Sequence, residues 1–354
     1  MNWDTIQNFS SNIVFGILLF SMIIYWVSLS FFKETNNLAQ IGRSCSTIAN
    51  ILLFFILASR WIVAGYFPLS NLYESLLFLT WTLLTIYLYL ENKTKSKLIG
   101  AVLIPVALLI TAFANLTLSP DMQKASPLVP ALQSNWLMMH VSMMMLSYAT
   151  LIMGSLLCIL FLVISKYQDV DLQIVDDSSL PLYNVMLDYY EAKLFTPSDE
   201  ISELGKLKLL QSLDNWSYRI IGLGFPFLTI GIIAGGVWAN ESWGRYWGWD
   251  SKETWALVIT VVYTIILHFR LAPKLKGEFI FNVASIFGFG SVLMTFIGVN
   301  YYFTKGMHSY GGGETPMFPM WAWIAILAVV ALIVAAGLKK RSIDKHDVYQ
   351  VEDK

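Results

Sequence analysis

Nine apolar runs, near residues 12–32, 45–67, 72–90, 97–116, 136–165, 218–239, 253–271, 279–303 and 321–338, are each long enough to cross a bilayer. A chain built this way has few options. In lipid every backbone N–H and C=O must find its partner inside the protein, so runs of this length fold as helices. The expected fold is all-α, a polytopic transmembrane bundle of about eight to nine spans. Composition agrees: hydrophobic residues make up 56% and charged residues 13% of the 354, where a soluble globular chain carries about twice that charge. The net charge of −1 therefore says nothing about partners, and nothing in it points to nucleic acid; membrane lipid is the surrounding medium. The first run lacks a basic segment before it and is long enough to span, so a cleavable signal is not expected. Cys45 and Cys158 lie in or beside apolar runs, far apart, and read as small buried hydrophobes.

Charge fixes the expected orientation. Lys33, Arg43, Lys93, Lys95, Lys97, Lys166, Arg219, Arg270, Lys274, Lys276 and the basic tail from Lys339 fall on one side of this topology. Arg60, Lys124, Arg245, Lys252 and Lys305 fall on or near the other. The positive-inside rule then puts the N-terminus outside and the C-terminus in the cytoplasm. Three regions follow: four spans over 1–135, a core over 136–312, and an extra span with its tail over 313–354. Residues 166–217 are expected to be an inner aqueous loop ending in a short helix around 199–213. Pro105 in the fourth run, and Pro226 with Gly222, Gly224 and Gly231 in the sixth, mark kinks or close helix packing.

One outer loop stands apart. Residues 237–255 hold Trp238, Trp243, Trp247, Trp249 and Trp255, with Tyr246 and the charged Arg245, Asp250, Lys252 and Glu253 among them. Membrane-interface belts use one or two aromatics per helix end. A cluster this dense, broken by Gly244 and Gly248, predicts a concave aromatic surface whose faces stack on a flat apolar ligand. Asp250 and Glu253 have the spacing of a capping box, so part of the loop starts a helix at Trp255's run.

The segment Trp-Gly-Arg-Tyr-Trp-Gly-Trp-Asp-Ser-Lys-Glu-Thr-Trp (243–255) resembles the tryptophan-rich "WWD" signature of haem-handling membrane proteins of cytochrome c maturation, in particular the CcsA-type subunit of the system II synthase. Residues 67–75, 213–219, 267–270 and 308–311 agree with that family, and the resemblance spans about residues 10 to 312. Ser251 stands where the family usually has proline; both suit a first helical turn. The resemblance implies haem b as the transported substrate, an apocytochrome c as acceptor, and a CcsB/ResB-type membrane subunit as partner. It implies a thylakoid or bacterial plasma membrane, with the working site facing lumen or periplasm. It also implies that the chain is the haem-binding subunit of a cytochrome c synthase. The wider family includes membrane subunits of haem exporters, so export without attachment stays open.

Four histidines occur, and three lie in or beside apolar runs, where an imidazole is costly and a functional candidate by default. His140, one turn after Trp136, and His308 both belong to the layer of the aromatic loop. Neutral imidazole is a good axial ligand for haem iron, and the resemblance assigns these two as the outer pair. His268 is fifteen residues after Glu253, about 22 Å inward along a helix. By resemblance it binds haem in transit, with a second ligand from the partner subunit. Arg245 is a candidate for pairing with haem propionates, as is Lys252. The methionines around His140 read as packing. No C-x-x-C-H motif occurs, so the chain is not itself a c-type cytochrome.

Overall fold

Eight of the nine apolar runs are helical in the computed structural model, which describes residues 3–31, 37–125, 133–166, 197–271 and 277–299. The ninth run, His308, His346 and the inner segment 167–196 lie outside the described residues. The helices are α1 (Trp3–Phe31), α2 (Asn37–Ala64), α3 (Leu72–Thr94), α4 (Lys97–Ala112), the short α5 (Pro120–Gln123), α6 (Asn135–Lys166), α7 (Pro197–Trp243), α8 (Ser251–Arg270) and α9 (Gly277–Leu293). π-helical turns extend α4 over Phe113–Thr117 and α9 over Met294–Gly298. No strand occurs among the described residues, and the fold is the all-α polytopic bundle that apolar length dictates.

One boundary differs from expectation. The sequence reading separates a short helix around 199–213 from a span starting at 218, with an aqueous connection between. The structure joins them in one helix of 47 residues, α7. Leu210, Leu213, Ser217 and Ile221 are all buried. Their spacing of three and four places them on one face, so the stripe of the span continues back through 210–217. Asp214, within that segment, is buried and paired. Pro226 lies inside α7 without ending it, as neighbouring helices allow in membrane bundles.

Helices α1 and α2 pack on each other and on α3 and α4, while α6 to α9 form a second group joined to the first through α3 and α6. These two joining helices are the most enclosed, with 72% of each apolar stretch buried, against 28% for α2 and α8. The peripheral helices therefore turn apolar side chains such as Phe20, Phe55 and Ile62 outward, as a lipid-facing surface requires.

The most extensive packing is between α6 and α7, and small residues make it. A Cβ at Gly235 would lie 2.5 Å from His140 Nδ1, and one at Gly231 2.8 Å from Met144 Sδ. Further inward, Gly224 sits against Thr150 and Leu151, and Gly154 of α6 against Ile221. Close backbone approach through small residues is how helices associate where lipid removes the hydrophobic drive.

Three buried polar clusters tie helices together within these groups, two in the first and one in the second. Arg60 Nε donates to Glu74 Oε1 at 3.1 Å, with both side chains at most 1% exposed. Glu74 Oε2 accepts from Ser70 N and Oγ, and Arg60 Nη2 donates to Gln123 O. At the opposite end of α3, the hydroxyls of Tyr25 and Tyr87 both donate to Glu91. Asp214 of α7 accepts from both terminal nitrogens of Arg270 on α8 and from Asn282 Nδ2 on α9. This last cluster brings together two of the segments, 213–219 and 267–270, that carry the sequence resemblance.

Candidate functional site

The loop from α7 to α8 is short and held from below. Gly244 leaves α7 with φ +71°, a left-handed turn that glycine takes at no steric cost. Asp250 caps α8: its side chain accepts from Glu253 N at 2.8 Å, and Glu253 Oε2 reaches back to Asp250 N. The capping box expected from the sequence is therefore present, and Ser251 is the first residue of α8. The same Glu253 oxygen accepts from Gly248 N at 2.6 Å. One carboxylate thus clamps the backbone on both sides of Trp249, whose φ is +57°. A bulky residue rarely adopts that conformation, and here the clamp holds it.

The tryptophans do not form one continuous sheet. Trp238 and Trp243, on the last turns of α7, meet edge to face with centroids 4.7 Å apart. Trp247 and Trp249, in the loop, form a second edge-to-face pair at 5.8 Å. Trp238 is 4% exposed whereas Trp249 is 68% and Tyr246 62% exposed, so the cluster grades from buried to open. Trp255 sits on α8, where its carbonyl accepts from Thr295 Oγ1 of the π-helical turn. Arg245 is exposed and lies over Gly248.

His140 projects from α6 into this arrangement. Its ring is nearly parallel to Trp238, at 14° with centroids 6.5 Å apart. Nδ1 lies 2.6 Å from the carbonyl of Gly231. A carbonyl only accepts, so Nδ1 carries the proton and Nε2 is the basic nitrogen, the tautomer in which metal-bound histidines are held by their outer partners. A cavity opens beside it, lined by His140, Met145, Tyr246, Trp247, Lys252 and Glu253 with residues of α7 and of the π-helical turn, Thr295 and Phe296. Of the residues proposed from sequence, His140, Trp247 and Lys252 thus line one cavity, while Trp238 stacks on His140 and Trp243 packs edge to face on Trp238. Met144 packs on Gly231, in keeping with a filling role for the methionine run.

The seat under His140 can be tested directly. Gly235→Ala is expected to lower the thermal unfolding midpoint of the purified protein by overpacking worth about 1–3 kcal/mol. Gly222→Ala, with nothing within 4 Å, is the control and is expected to leave the midpoint unchanged or raise it, since alanine is the better helix former.

His268 lies on the last turn of α8, exposed on the outer surface of the bundle, with Nδ1–H donating to Thr264 O at 2.7 Å. The unbroken helix puts it about 22 Å from Glu253. It belongs to no shared site with His140. The ion pairs Arg60–Glu74 and Asp214–Arg270 were not visible to sequence reasoning, although Arg60 and Arg270 inside apolar runs are a signal that buried carboxylates accompany them.

The cytochrome c assembly protein family matches residues 69–308 of the chain. The cytochrome c biogenesis protein CcsA of Trieres chinensis is 76% identical over 311 residues, covering 88% of this chain and 99% of that protein. The protein of the same name from Thermosynechococcus vestitus is 47% identical, over 88% and 99% of the two chains. Among solved structures, cytochrome c heme lyase CcmF shares the fold with a TM-score of 0.58 at 17% identity. There the match covers 96% of this chain and about half, 51%, of the other. A match over 69–308, together with relatives this similar over nearly their whole length, places the chain in the cytochrome c assembly family.

Proposed function

We propose that the chain carries haem b from the inner side of its membrane to the cavity at His140 and presents it there to an apocytochrome c. The observation that carries this reading is the His140 tautomer: Nδ1–H is fixed on Gly231 O, leaving Nε2 as the donor that iron takes, against an aromatic wall suited to a flat macrocycle. Trp247, which lines the same cavity, has a buried indole N–H without an acceptor, which fits a ligand bearing polar groups. His308 is the second outer ligand in this reading. His268, exposed on the surface of the bundle, serves an inner site completed by a CcsB/ResB-type subunit. The chain's part in attachment is positioning. Each substrate thiol adds across a vinyl group, forming a C–S bond at one carbon and passing its proton to the other, with no external reductant. The substrate's histidine then replaces one ligand of the iron.

The outward placement of this cavity follows from the charge asymmetry, and the photosynthetic sources of the relatives support a thylakoid membrane. Purified protein is expected to show a Soret band, or to gain one on haem addition; none under either condition would end the reading. Single cysteines placed at Glu241 and at Lys95 are expected to label from opposite sides of the membrane with an impermeant reagent, Glu241 from outside. Labelling of Lys95 from outside would reverse the topology and the direction of transport.

A further inference from the structure

At the end of the bundle remote from the cavity, α3 and α7 meet through an unbroken row of cation, ring, ring and cation. Lys93 Nζ lies 5.7 Å from the centre of the Tyr89 ring, and Tyr89 meets Trp216 edge to face with centroids 5.9 Å apart. Arg219 Cζ lies 5.7 Å from the centre of the Trp216 ring. The row is on the surface: Tyr89 is 54% exposed, and Lys93 and Arg219 are exposed. Trp216 and Trp238 are both on α7, about 33 Å apart along its axis. The carboxylates near the row are engaged inside the bundle, Glu91 by the Tyr25 and Tyr87 hydroxyls and Asp214 by Arg270. None of the ion pairs among the described residues uses Lys93 or Arg219. The rings hold the two charges in place without cancelling them.

What lies beyond Arg219 decides the kind of ligand. Leu223, Ile230 and Ile233 are exposed, and their spacing continues the face of Arg219 along α7 as an apolar stripe. A soluble anion has no use for such a stripe, whereas a molecule with an anionic head and an apolar tail matches both parts. We propose that this junction seats an anionic lipid, its phosphate or sulfonate at Lys93 and Arg219 and an acyl chain along the stripe of α7. The Tyr89 hydroxyl and the Trp216 indole N–H are the further donors that the two rings carry. Basic sites between membrane helices take lipid headgroups in this way. Because α3 belongs to one helix group and α7 to the other, a lipid bound here fastens the two groups to each other.

The test titrates the detergent-purified full chain with phosphatidylglycerol and with phosphatidylcholine of the same acyl chains, and counts bound lipid by native mass spectrometry. Phosphatidylglycerol is expected to bind on the order of twentyfold more tightly, the scale of two cations at about fivefold each. Lys93→Gln and Arg219→Gln are each expected to lower that preference about fivefold. Lys95→Gln removes a cation close by that is outside the row and donates to Asn92; it is expected to leave the preference unchanged. Phosphatidylglycerol is also expected to raise the thermal unfolding midpoint of the unaltered protein more than that of the doubly substituted one. Equal binding of the two lipids would overturn the site, as would a preference that survives both substitutions together. Displacement of the lipid by inorganic phosphate alone would mark a soluble-anion site. Displacement by an acidic peptide copying residues 167–177, with Asp169, Asp171, Asp176 and Asp177, would mark a seat for polypeptide. Either result would overturn the lipid.

Discussion

His140→Ala is expected to stop haem attachment while leaving haem in the protein. The substitution removes Nε2 from the cavity and frees the Gly231 carbonyl, so outer-site affinity is expected to fall on the order of a hundredfold. His268 lies about 22 Å along α8 from Glu253, which lines the same cavity as His140, and has its own partner, Thr264 O, so the inner site is untouched. Copurified haem should therefore persist with an altered spectrum. His268→Ala is expected to do the reverse: most copurified haem is lost because loading fails, although the outer cavity is intact. Absorption spectra of the two purified proteins, alongside attachment to a C-x-x-C-H peptide in the presence of the partner, separate these outcomes. Equal haem loss from both substitutions would mean a single shared site and would remove the transit scheme.

The second large effect concerns stability. Glu74→Ala leaves Arg60 buried at 1% exposure without its carboxylate, and also strips the acceptor from Ser70 N. Breaking one half of a buried pair costs about 3–5 kcal/mol. The protein is expected to lose most of its folded yield and to unfold at markedly lower temperature in detergent. Replacing both partners together, Arg60→Met with Glu74→Leu, is expected to recover much of that loss, because no uncompensated charge remains. A Glu74→Ala protein as stable as the original, judged by thermal unfolding, would show that water reaches Arg60 and that the cluster does not hold α2 against α3.

How much of this was legible in the sequence depends on range. The eight described spans were readable because apolar length acts locally: each run had to become a helix whatever its neighbours did. The capping box at Asp250 and Glu253 was readable for the same reason, since its partners sit three residues apart. The start of α7 was misjudged because nothing local shows that the charged residue Asp214 is buried; its partner Arg270 lies 56 positions away. The aromatic cluster was found, but its division was not. Trp238 and Trp243 share the last turns of α7, while Trp247 and Trp249 lie in a loop where Trp249 takes a left-handed backbone held by Glu253's double clamp. The tautomer of His140 was beyond reach, because it depends on a carbonyl 91 residues away.

The glycine-lined seam between α6 and α7 also limits how the molecule can move. His140 over Gly235 and Met144 over Gly231 interlock at successive turns. Sliding α7 by one turn would set Met144 against Phe227 in one direction and His140 against Ala239 in the other, where a side chain takes the place of the glycine hydrogen. These two helices therefore act as a stator. In the proposed haem reading, the α6–α7 seam keeps His140 in one place, so a rearrangement that admits the ligand would have to occur elsewhere than along this seam.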